Sequence, residues 1–267
     1  MPTKPNKDEV LRRSYEGIDT VYHPNIDLYL FTADKLMDGV DSAFNLGFSY
    51  NSPDFELYAS LSDNVYIFSG AKTFQQTLAM SKEIVKDGKL QTFAEFKKSA
   101  GKIFDEYNGN WLEAEYVTAK ETASGAKKWN KIQKEIKTFP YLKWVTSSDD
   151  TVCPICAPLN GVTLPAKDAF WKRNYTPIHW HCHCYVQQIT HEEIIQGDES
   201  VSGKREQNRV KKHIEGLGDK VFKNNAGVTG EIFTREHPYF DIPKEYKRLA
   251  NNNFSLPIPN RHSIKTL

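Results

Sequence analysis

From Asp27 onward the apolar positions Leu28, Phe31, Leu36, Val40, Phe44 and Phe48 recur near helical spacing. Ser52-Pro53 breaks that pattern. Residues 54–69 follow as a short aromatic-rich stretch that includes Phe55, Tyr58, Tyr66 and Phe68. After Gly70, the spacing of Phe74, Leu78, Met80, Ile84 and Val85 predicts a helix over 71–87, stopped by Asp87-Gly88. A second helix is predicted over Thr92–Asn108, carrying Phe93, Phe96, Ile103, Phe104 and Tyr107. The longest is predicted over Asn110–Lys137, with Trp111, Leu112, Tyr116, Trp129, Ile132 and Ile136. Gly125 weakens it without breaking it.

Pro140 ends the helices. Tyr141–Val145 alternates and is β-rich, which predicts a strand, and Cys184–Ile189 predicts a second. Between them Ala166–Lys172 reads as a single helical turn. Ahead of all this, residues 1–25 are polar, contain Pro2, Pro5 and Pro24, and predict an extended arm with one helical turn around Asp8–Ser14. Residues 197–216 read as a charged loop and helix. Residues 217–267 read as an irregular tail that packs on a neighbour.

Composition narrows the function classes. In 267 residues, 39% apolar and 12% aromatic content can build a core, so the chain is not disordered. Its 35 basic and 34 acidic residues leave a net charge of +1, which argues against a protein that coats nucleic acid electrostatically. The basic run Lys204, Arg205, Arg209, Lys211 and Lys212 leaves room for a weak DNA contact, although such runs are most often a solvated face. No apolar run approaches the roughly 20 residues a membrane span needs. The polar opening Met1–Lys7 gives no reason to expect a secretory leader.

The chemistry is concentrated in one place. All four cysteines lie within Cys153–Cys184, as Cys-x-x-Cys followed by His-x-x-Cys-x-Cys. Thiolate and imidazole are the ligands zinc prefers, and four of them close a structural site. A straight strand over 179–184 would put His179 and Cys182 on opposite faces. Two solutions remain. Either the segment turns at Trp180-His181 and the ligands are Cys153, Cys156, His179 and Cys182, or Cys184 replaces one of them. The alternative to a metal site is disulfides or free buried thiols. Asp149 and Asp150 precede the first pair and suit hydrogen bonds to the knuckle or to His179.

The fold class that follows is α+β. A helical N-terminal region is followed by a small zinc-clipped β-containing module and an irregular C-terminal tail. The expected divisions are 1–25 (arm), 26–138 (helical domain), 139–196 (zinc-knuckle module) and 197–267 (charged helix and tail). Two strands bury little alone, and a structural zinc ion would supply the missing stability.

Two runs go further: Ser148-Asp149-Asp150-Thr151-Val152-Cys153-Pro154-Ile155-Cys156-Ala157-Pro158-Leu159-Asn160-Gly161 and Thr176-Pro177-Ile178-His179-Trp180-His181-Cys182-His183-Cys184. Together they resemble the signature of the phage Mu F-like head morphogenesis proteins, minor head proteins of tailed phages. The resemblance covers about residues 110–190. The chain departs from the family pattern at Thr176, at Trp180 (proline in the family) and at His183 (arginine in the family). The resemblance implies a structural protein of the virion, assembled in the bacterial cytoplasm. Its partners would be the portal or the major capsid protein of a tailed phage, with a role in head assembly and in DNA packaging or delivery. No catalytic motif is identified, so no enzyme is expected. The rival reading is a zinc-stabilised nuclease or phage-delivered toxin using His213, Glu231 and His237.

Overall fold

The computed structural model of the protein describes residues 3–44, 52–146, 153–217 and 220–259. It is α+β, with helices first and a small sheet after them. Helix α1 (Lys7–Tyr15) starts at Asn6, whose side-chain oxygen accepts from the Asp8 and Glu9 backbone N–H groups. The helical turn expected around Asp8–Ser14 is a nine-residue helix, and the extended arm expected around it is corrected. Val10 and Leu11 are buried with Leu28, Met80, Phe96, Ala100 and Phe104, so α1 is part of the bundle. Two adjacent apolar residues in a polar run are too brief a signal for periodicity to find.

Helix α2 (Ile26–Phe44) follows; Phe48, assigned to the same run, lies outside the described residues. Helix α3 (Pro53–Ser81) is one continuous helix, started by Ser52 accepting from Phe55 N–H and by Pro53 in its first turn. It replaces both the separate aromatic stretch and the helix over 71–87. Its buried residues surround the axis: Leu61, Val65, Phe68, Lys72, Thr73 and Phe74 all lie inside. A helix covered on every side shows no amphipathic period. Beyond it, strands β1 (Val85–Lys86) and β2 (Lys89–Leu90) pair through Asp87-Gly88, where both residues have positive φ (51° and 72°). The Asp-Gly pair therefore makes a hairpin turn and not a helix stop.

Helix α4 (Phe93–Asn108) opens with a capping box between Thr92 and Glu95. Helix α5 (Asn110–Glu135) matches the longest predicted helix. A Cβ on Gly125 would stand 2.7 Å from the Thr176 carbonyl oxygen, so glycine lets the loop at 175–177 lie against α5. Helices α2, α3 and α5 enclose the main core, which includes Tyr29, Leu36, Val40, Leu61, Phe68, Phe74 and Leu112.

Strands β3 (Tyr141–Val145), β4 (Thr163–Pro165) and β5 (Tyr185–Ile189) form an antiparallel sheet in the order β4-β3-β5. Leu142 faces Leu164 and Gln188, and Trp144 faces Val186. Leu142, Trp144, Leu164 and Val186 belong to a second core with Trp129 and Ile132 of α5. β3 and β5 follow the sequence pattern; β4, three residues long, does not announce itself. Then come α6 (His191–Gln196), α7 (Lys204–Gly216), α8 (Ala226–Thr229) and α9 (Lys247–Ala250). Val210 and Ile214 seat α7 in the second core.

The C-terminal segment is irregular, with short 3-10 turns, but its apolar residues are consumed within the chain. Ile232, Phe233, Tyr239, Ile242, Phe254 and Leu256 join the main core. Phe233 stacks on Phe68 at 3.7 Å and Phe254 on Phe74 at 4.7 Å. The aromatic patch is therefore not a free surface waiting for a neighbour.

Candidate metal centre

The first pair of cysteines sits on a tight turn just after β3. The Cys156 and Ala157 N–H groups both donate to the Cys153 carbonyl at 3.0 Å. Cys156 N–H also lies 3.3 Å from Cys153 Sγ, so a backbone donor is aimed at that sulfur. The segment that follows the turn is tied to the sheet: Trp144 N–H donates to Val162 O at 2.8 Å, and Gly161 N–H donates to Trp144 O at 2.9 Å. From the other side, His213 of α7 donates from Nε2 to the Ile155 carbonyl at 2.8 Å. A carbonyl only accepts, so His213 carries a proton on Nε2.

The second arm turns where the register argument requires. His181 has φ of +56°, and the chain bends at Trp180-His181. His179 Nδ1 lies 2.7 Å from the Trp180 carbonyl, which fixes its proton on Nδ1. Nε2 then offers a lone pair, 2.9 Å from Cys153 Sγ and 3.2 Å from Cys156 Sγ. A ligand imidazole is ordinarily held in this way, through its second nitrogen. Cys182 Sγ comes within 3.8 Å of Cys156 Sγ.

These donors form two groups that share Cys156: Cys153, Cys156 and His179, and Cys156, Cys182 and Cys184. Within each group the ligand atoms lie within 4.8 Å of one another, so the cluster could hold a metal ion. The chemistry fits. Four thiols, buried or half-buried, and one imidazole are soft or borderline donors gathered in two groups about Cys156. A tetrahedral site with sulfur bonds of about 2.3 Å has sulfur–sulfur edges of about 3.8 Å, the separation seen between Cys156 and Cys182. The sulfur–nitrogen contacts are shorter than such an edge, as thiol–imidazole hydrogen bonds are. Hydrogen bonds from Cys156 first and Cys184 next lower the Cys182 thiol. The same bonds raise Cys156, with burial adding to the effect. A cation bound at these sulfurs would displace their thiol protons.

The walls are aromatic. Trp144 is fully buried and stacks parallel to Trp171, with ring centres 6.4 Å apart. Trp180 meets Phe222 edge-on at 5.0 Å. His181 and His183 point into solvent. Asp149 and Asp150 lie outside the described residues. Of the three residues of the nuclease reading, His213 and His237 have side chains in separate hydrogen bonds. The His213 side chain braces the knuckle, whereas at Glu231 it is the backbone carbonyl, not the carboxylate, that accepts from Asn224 at 2.6 Å. His237 is buried and accepts the Tyr239 N–H on Nδ1. Burial first, then the Lys72 charge, pushes His237 down to about 4.

Sequence reasoning missed a second polar feature, inside the helical core. Lys72 and Glu115 form an ion pair with side chains 1% and 3% exposed. Nearby, Asn64 Oδ1 accepts the Ile232 and Phe233 N–H groups at 2.9 and 2.8 Å, and its Nδ2 donates to Phe233 O at 3.0 Å. One asparagine thus fastens the C-terminal segment to α3. A lysine inside an otherwise aromatic run is the trace this leaves in the sequence.

Comparison with known proteins adds three findings. Residues 70–187 match the family described as Phage Mu protein F like protein, a stretch that contains all five donors. Over 75 residues the chain is 28% identical to "Putative capsid assembly protein F" of Escherichia phage Mu. That stretch is 28% of this chain and 17% of the phage Mu protein, so the chain matches well under a fifth of that relative's length. No solved structure matches.

Proposed function

We propose, from the match of residues 70–187 to the Phage Mu protein F like family, that this chain is a structural protein of a tailed-phage head that acts in capsid assembly. The observation that carries this reading is the position of the Cys/His cluster inside the matched stretch. On this reading the protein sits at the portal vertex of the virion, is assembled in the host cytoplasm, and assists DNA packaging or delivery without catalysing a reaction. Cys153, Cys156, His179 and Cys182 hold one zinc ion, with Cys184 the alternate ligand. When bound, the metal supplies a closed crosslink and no open coordination position.

The chain's own residues do the rest. Cys153 and Cys156 arrive on a turn closed by the Cys153 carbonyl, and His179 is oriented by the Trp180 carbonyl. Trp144 and Trp180 flank the cluster and keep it dry. The effect is to pin a sheet of three short strands against α5 and α7, giving assembly a rigid module. No helix among the described residues is long and apolar enough to cross a membrane.

The test is to purify virions of a phage that encodes this chain and to grow a nonsense mutant of its gene. The protein is expected in the virion at low copy, and the mutant should yield no filled heads. Normal infectious particles from the mutant would sink the assembly role. Metal-dependent cleavage of DNA by the purified protein, lost in a His237→Ala variant, would favour the nuclease reading instead.

A further inference from the structure

Outside the Cys/His cluster, one groove combines volume with surplus positive charge. It lies between the 3-10 turn Ala169–Lys172 and helix α7 and has a volume of about 530 Å³. That is within the ~300–1,000 Å³ typical of ligand sites. Its floor is apolar: Val162, Leu164, Val210 and Ile214 are all buried, and half-buried Phe170 forms one wall. Arg173, Lys211 and Lys223 line it from above. None of these three cations joins an ion pair among the described residues. Lys223 Nζ donates to the Glu215 carbonyl, at 3.4 Å. Two carboxylates, Asp168 and Glu215, also line the groove, so the three cations exceed the acids by one; Asp168 accepts the Phe170 N–H at 2.8 Å.

The surroundings extend the same charge. Helix α7 carries Lys204, Arg205, Arg209, Lys211 and Lys212 against Glu206 and Glu215, although the whole chain is nearly neutral. The helix is also tied to the candidate metal centre through His213 and the Ile155 carbonyl. A phosphate backbone would use the cations but leave the apolar floor empty. A protein segment that sets an apolar side chain between carboxylates uses both.

We propose that this groove is a docking site for a short acidic, apolar segment of another protein. Apolar side chains of that segment lie on Val210, Ile214 and Phe170, and its carboxylates meet Arg173 and Lys211. This inference rests on the groove and its charge, not on the identity of the metal or of the family.

The test uses the full chain with its metal and three labelled probes followed by fluorescence anisotropy. One is an octapeptide alternating glutamate and leucine, one alternates lysine and leucine, and one is a short single-stranded DNA. The acidic peptide should bind saturably, and the basic one should not. The Arg173→Glu/Lys211→Glu double variant alters two exposed side chains and should fold normally by circular dichroism. It should bind the acidic peptide at least about tenfold more weakly, as loss of two rim charge pairs predicts. Val210→Ala/Phe170→Ala should weaken binding even at high salt. Equal binding by wild type and the charge variant, or no binding of the acidic peptide, would overturn the proposal. DNA binding that follows the same charge variants, without peptide binding, would reassign the groove to nucleic acid.

Discussion

Lys72 of α3 and Glu115 of α5 face each other across the helical core, both almost completely buried. Desolvation dominates at each: it lowers the lysine and raises the glutamate, and the partner's charge works in the opposite direction. The pair also lies under the C-terminal segment, with Lys72 Nζ 5.7 Å from the centre of the Tyr239 ring.

Removing one member should cost far more than removing both. Lys72→Met leaves a buried carboxylate without its cation, an expected loss of about 3–5 kcal/mol. Lys72→Met/Glu115→Leu should recover most of it. Urea unfolding of the three proteins checks this; a double variant as unstable as the single one would show that the pair itself, not the orphaned charge, carries the effect.

His237 makes stability depend on pH in the acid range. Its folded pKa lies at about 4, below the ordinary 6.5. Above 6.5 neither state binds the proton, and the group contributes nothing to the pH dependence. As pH falls from 6.5 toward 4, the unfolded chain takes up a proton that the folded chain refuses, so stability declines. The decline amounts to about 3 kcal/mol. His237→Gln should flatten that part of the profile relative to wild type. Parallel slopes for the two proteins between pH 7 and 4.5 would refute the assignment.

Gly70 marks a close approach of α3 to the C-terminal segment. A Cβ there would stand 2.4 Å from Asn253 Oδ1. Asn253, Phe254 and Ser255 all have positive φ, at 44°, 55° and 62°, so the segment holds an unfavourable backbone against the helix. Gly70→Ala should cost about 1–3 kcal/mol by overpacking. Asn253→Gly, which removes the clashing side chain and tolerates positive φ, should rescue it in the double variant. Melting temperatures of the set decide the matter.

Metal content is the most direct measurement on the cluster. Elemental analysis of reduced wild type should find about one zinc per chain. Cys182→Ser should lose it and unfold the sheet module, while Cys184→Ser should retain it. Folded, reduced protein without metal would leave the thiols as a hydrogen-bonded cluster. Retention in Cys182→Ser but not in Cys184→Ser would exchange the two ligands.

The sequence by itself determined what repeats or clusters locally. Helices α2, α4 and α5 and strands β3 and β5 each keep one face in the core, so their apolar residues recur with the period of the element. The Cys/His spacing was equally plain, because few chemistries call for all the cysteines of a chain within one short stretch. Tertiary structure alone decided the rest. Helix α3 is wrapped on all sides, which erases its period, and α1 is too short to show one. Strand β4 exists because β3 offers it hydrogen bonds. The C-terminal residues have no regular local pattern, and their place comes from Asn64, Phe68 and Phe74, far away along the chain. Lys72 and Glu115 could be matched only in space: forty-three residues separate them, and no local signal links a buried charge to its partner.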